Sequence, residues 1–102
     1  MLARQFFLWR PQHPYLSNWT LICTGKSEPP PQLLGYKSSS IELIRRGIGL
    51  EESNVLIVQM GNEWSKKRLE QSRDEVTDLI HRELQSVDQE WLETASFHAH
   101  RW

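Results

Sequence analysis

The chain has a single cysteine, Cys23, among its 102 residues, so no internal disulfide can hold it together. A lone thiol fits a reducing compartment. No apolar run approaches the ~18 residues that a membrane-spanning helix needs, and no membrane association is expected. Phe6-Phe7-Leu8-Trp9 is too short for the apolar core of a secretion signal, and Arg10-Pro11 interrupts it. These absences together predict a cytoplasmic location.

Chemistry-bearing motifs are also missing. Gly25-Lys26-Ser27 lacks the upstream glycine of a phosphate loop, and Gly47-Ile48-Gly49 follows a helix-like pattern where a dinucleotide fingerprint would open one. His98-Ala99-His100, with His13 and His81, comes nearest to a metal set, but no cysteine or carboxylate completes a recognisable ligand spacing. No cofactor and no metal are expected, and the chain reads as non-enzymatic before enzymatic.

What is present is an ordinary globular composition, 38% hydrophobic and 25% charged, in a length suited to one domain spanning residues 1–102. Charge is uneven. Residues 1–50 hold six basic groups against two acidic ones, residues 51–102 six against eleven. Two halves of opposite sign attract each other within a fold or across a dimer, or leave a basic face for an acidic partner.

Val55–Met60 opens on four consecutive apolar residues, the pattern of a strand covered on both faces. Gln5–Arg10 and Trp19–Thr24 are rich in aromatic and β-branched residues and read as two further strands, paired antiparallel across a loop holding Pro11 and Pro14. Pro29-Pro30-Pro31 demands an extended connection, excluded from helix and central strand alike. Ser39 followed three positions later by Glu42 is a capping-box pattern, so Ile41–Arg46 is expected to be a short helix stopped at Gly47 or Gly49. Glu51-Glu52-Ser53-Asn54 then turns the chain into the buried strand.

Residues 62–102 contain no glycine or proline. Val76, Ile80, Leu84, Val87, Trp91 and Ala95 step by threes and fours, which predicts an amphipathic helix with one apolar ridge. A helix over 65–98 would run about 50 Å, against a diameter of roughly 35 Å for a domain of this size. It must overhang or break, and the capping-box pattern Ser86-Val87-Asp88-Gln89 favours a break near residue 86. The expected class is α+β: a small sheet of three or four strands with helices packed on one face.

The ridge and five tryptophans exceed what a core this small easily hides, and Trp and Arg are enriched where proteins bind each other. The leading expectation is a regulatory protein that binds a protein partner through Trp64, Arg82, Trp91 and Leu92 and self-associates as a homodimer through its C-terminal helical region. A second reading is a nucleic-acid-binding module using Arg4, Trp9, Arg10, Trp19 and Lys26, bases interleaved with rings that can stack on nucleotides. A third is a small enzyme with Cys23 as nucleophile and His81 as its base, although a strand setting favours an inert buried thiol.

Overall fold

The computed structural model describes residues 18–47 and 54–101. Four strands, β1 (Trp19–Thr24), β2 (Ile41–Arg46), β3 (Val55–Met60) and β4 (Ser96–Arg101), form one antiparallel sheet in the order β2-β3-β1-β4. Among the described residues four helices accompany it: α1 (Pro31–Leu34), α2 (Asn62–Lys66), α3 (Arg73–Gln85) and α4 (Glu90–Glu93). The fold is α+β. The expected strand over Gln5–Arg10, the Pro11–Pro14 connection and the turn over 51–53 lie outside the described residues.

Period two sorts the strand residues into faces. Trp19, Leu21 and Cys23 of β1 stand beside Arg101, Ala99 and Phe97 of β4, while Leu21 and Cys23 face Val58 and Leu56 of β3. This face carries the core, joined by Leu33 of α1, Val76, Ile80 and Leu84 of α3, and Trp91 and Leu92 of α4. The helices therefore pack on one side. Thr20, Val55 and Ile57 alternate to the other side and are buried too, so β3 is covered on both faces as its apolar run requires.

Ile41–Arg46 is a strand, which corrects the helix expected there. Ile41 and Ile44 both reach the core, opposite Met60 and Val58, because a bulge between Ile41 and Leu43 takes up Glu42. That bulge spaces two core residues three apart and so imitates a helical period. The Ser39–Glu42 capping box does not form. Ser38 Oγ instead accepts from the amides of Ser40 and Ile41, turning the chain into β2, and Glu42 accepts from Gln59 Nε2 across the sheet. Gly47 closes the β2–β3 hairpin through its amide to the Val55 carbonyl.

The triproline is also partly helical. Pro30 is extended at the N-cap and Pro31 occupies the first turn of α1, where a missing N–H costs nothing. Leu33, two residues on, is fully buried.

The C-terminal region is not one long helix, and the described residues extend no more than 32 Å. α3 ends at Gln85, where the Ser86 hydroxyl donates to the Glu83 carbonyl, so Ser86 closes a helix and does not open one. The working capping box lies upstream at Ser72: its hydroxyl accepts from the Glu75 amide, and the Glu75 carboxylate accepts from the Ser72 amide. The ridge continues through Trp91 into α4 but stops at Thr94. Residues 96–101 are β4, paired with β1 over six residue pairs.

Candidate interaction site

Trp19 opens β1 and is 3% exposed. Its amide donates to Ser65 Oγ of α2 at 2.9 Å and its indole N–H to the Arg68 carbonyl at 3.0 Å. Trp91 is 6% exposed and its indole N–H donates to the Ser27 carbonyl at 2.8 Å. Both rings bury a large apolar area with the polar edge satisfied, the arrangement a core tryptophan needs. Leu92 beside it is fully enclosed. Of the expected partner-binding residues, Trp91 and Leu92 are therefore interior.

Trp64 and Arg82 are not. Arg82 is on the outer side of α3, 70% exposed and ion-paired with Asp78 at 3.0 Å, one helical turn away. Such a solvated pair contributes about 0.3–0.5 kcal/mol. Trp64 on α2 is half-buried, with the Arg68 guanidinium 4.1 Å from its ring centroid and Arg68 Nη1 donating to the Trp64 carbonyl. The next residue, Leu69, is 38% exposed. Arg101, at the end of β4, donates to the Leu69 carbonyl and lies 5.8 Å from the Trp19 ring.

α2, the turn after it and the last residue of β4 thus build one corner of the molecule. It presents the partly exposed Trp64 ring, an exposed leucine and the bases Lys66, Lys67, Arg68 and Arg101, flanked by Glu63 and Glu70. The backbone beneath it is pinned by Trp19, Arg68 and Arg101, so the apolar surface is offered on a braced turn. The Trp64/Arg68 spacing of four signals part of this corner in the sequence. The approach of Arg101 belongs to tertiary structure alone.

Only Trp19 and Lys26 of the nucleic-acid set fall within the described residues. Trp19 is sealed and unavailable for stacking, Lys26 is exposed in the turn after β1, and Arg4, Trp9 and Arg10 lie outside the described residues. The proposed nucleophile is sealed as well. Cys23 is fully buried, and burial pushes its thiol far above the ordinary value, which keeps it protonated and unreactive. His81 and Phe97 make a tilted ring contact, centroids 4.7 Å apart, and Phe97 is the register neighbour of Cys23.

His98 and His100 project from the sheet face opposite the core, their ring centroids 6.4 Å apart. Burial, then Arg73 and His98, lower the His100 pKa. Among the described residues no three His, Cys, Asp or Glu side chains converge as metal ligands, and no helix is long and apolar enough to cross a membrane. A cleft of about 350 Å³ separates the Glu28–Pro30 loop from Asp88, Glu90 and Trp91. Two of its three carboxylates are engaged in structure: Glu28 pairs with Arg46 at 3.3 Å, and Asp88 accepts from the Trp91 amide at 2.9 Å. Comparison with protein-family models, curated protein sequences and solved structures finds no match.

Proposed function

We propose that this chain is a non-catalytic, regulatory protein-interaction module of the cytoplasm that docks a protein partner on the Trp64–Leu69 corner and also self-associates. One observation carries the reading. Of the three tryptophans among the described residues, Trp19 and Trp91 are spent on the core, while Trp64, which packs against the core at one side, keeps part of its ring exposed beside an exposed leucine and under an arginine. An aromatic anchor with an arginine and an aliphatic neighbour is the composition of binding hot spots. The apolar ridge of α3 is covered by its own sheet, so self-association in this reading uses another part of the C-terminal region. The buried, unpaired Cys23 supports the cytoplasmic setting.

The test compares the wild-type chain with Trp64→Ala and Leu69→Asp as affinity baits. A protein retained by the wild type and lost from both variants, at unchanged thermal stability, is the expected result. Identical retention by all three baits removes the corner from consideration.

The run Lys66-Lys67-Arg68 beside a partly exposed indole supports a second reading, single-stranded nucleic acid stacked on Trp64. Titration with a labelled oligonucleotide at two salt concentrations separates the two: affinity that falls steeply with salt and is lost in Trp64→Ala favours nucleic acid, and salt-insensitive or absent binding excludes it.

A further inference from the structure

We infer that the partner of the Trp64–Leu69 corner is an acidic peptide segment, a stretch of chain in which carboxylates flank an apolar side chain. The inference rests on the protein-docking reading above and names the chemistry that the same corner recognises.

Cations without acids of their own carry it. Lys66, Lys67 and Arg101 are exposed, and Arg68 is half-buried. Among the described residues none of the four meets a carboxylate within ion-pair distance, although Glu63 precedes Lys67 by one helical turn. Arg46 and Arg82, by contrast, are paired with Glu28 and Asp78. The four bases outnumber the two flanking acids, Glu63 and Glu70, so the corner attracts anions.

Its arginines are also pre-oriented. The Arg68 guanidinium lies 4.1 Å from the Trp64 ring centroid and gives one N–H to the Trp64 carbonyl, while Arg101 gives one to the Leu69 carbonyl. A guanidinium has five N–H donors, so each arginine keeps donors for a carboxylate, which accepts from it in a fork. A guanidinium already stacked on a ring loses less freedom when it binds. Leu69, 38% exposed, and the uncovered part of Trp64 offer an apolar spot for one uncharged side chain of the peptide.

The same geometry ranks a peptide above a nucleic-acid strand. Trp64 packs on the core at one side and lies under the Arg68 guanidinium, so a base would have to displace that guanidinium in order to stack. Glu63 and Glu70 repel a continuous run of phosphates, whereas a peptide can set uncharged residues opposite them.

Selection from a random peptide library displayed on phage, against the full chain, tests the inference. The expected sequences carry several Asp or Glu residues around a leucine or an aromatic residue. Their synthetic forms should bind more weakly as salt rises, and about tenfold or more weakly to the Lys66→Glu/Lys67→Glu variant. Arg68→Lys, which keeps the charge but not the fork, should also lose affinity. Lys26→Glu, in the turn after β1, should leave it unchanged. Replacing the acids of the peptide by their amides should cost a similar factor, and this decides the matter if a variant fails to fold. Selected peptides that lack acids, or that bind Lys66→Glu/Lys67→Glu undiminished, yet fail on Trp64→Ala, refute the acidic partner and leave the docking corner standing. A library that yields nothing, or only peptides that Trp64→Ala still binds, removes both. Oligothymidylate that binds more tightly than any selected peptide, with loss in Trp64→Ala, overturns the inference in favour of nucleic acid.

Discussion

The indole of Trp91 fills the space that a side chain at Gly25 would need: a Cβ there would lie 2.5 Å from Cζ2 and 2.8 Å from Nε1. The contact joins the end of β1 to α4, 66 residues further along the chain, and the Trp91 N–H bond to the Ser27 carbonyl fastens the same turn. Replacement of Gly25 by alanine must displace a ring held by the core. We expect Gly25→Ala to cost about 1–3 kcal/mol, read as a fall in Tm of several degrees for each kcal/mol. An unchanged Tm would mean that the indole is free to move.

Ser65 is fully buried and accepts the Trp19 amide at 2.9 Å, tying α2 to β1. Ser65→Ala leaves that amide without a partner away from water, at a cost of about 1–3 kcal/mol. Denaturant unfolding measures the loss, and hydrogen exchange at Trp19 should accelerate more than at the centre of β3.

The Ser72–Glu75 box starts the helix that supplies Val76, Ile80 and Leu84 to the core. Ser72→Ala is expected to destabilise the protein by about 1 kcal/mol. Bonds from the Ser72 amide and hydroxyl hold the Glu75 carboxyl below its ordinary pKa of 4.5. A depressed folded-state value contributes stability above the unfolded value and loses it as pH falls through the folded one. The stability difference between wild type and Glu75→Gln should therefore be present at neutral pH and shrink below about pH 4.5. Urea midpoints at a series of pH values check the direction.

Cys23 should resist alkylating reagents in the native protein and react on unfolding. Burial raises its thiol in the folded state only, so above the ordinary value of 9.0 the unfolded chain ionises first. Stability should then fall with rising pH from that point, and Cys23→Ala should remove this part of the alkaline loss. Rapid native labelling at neutral pH would return the thiol to consideration as a nucleophile.

Several elements were legible in the order of residues. β1 and β3 follow from β-branched and aromatic content, and the burial of β3 on both faces from its unbroken apolar run. The ridge Val76-Ile80-Leu84 follows from period; the break near residue 86 occurs, but with Ser86 ending a helix by donating to the Glu83 carbonyl, not opening one through a capping box. β2 and β4 were not legible, for different reasons. The bulge at Glu42 gave Ile41 and Ile44 a spacing of three, which a one-dimensional reading takes for a helix turn. β4 follows Trp91 and Ala95 at helical steps with no glycine or proline to mark a stop. Its strand geometry comes from pairing with β1, a partner far away in sequence.

The sequence by itself determined that this protein is α+β, with a buried strand and an amphipathic helix, because those patterns reflect local periodicity and the removal of apolar side chains from water. Among the described residues, tertiary structure decided which tryptophans are hidden and which one keeps part of its ring exposed. Trp19, Trp64 and Trp91 are chemically identical, and only the carbonyls, sheet and helices that happen to surround each ring distinguish a core anchor from a docking surface.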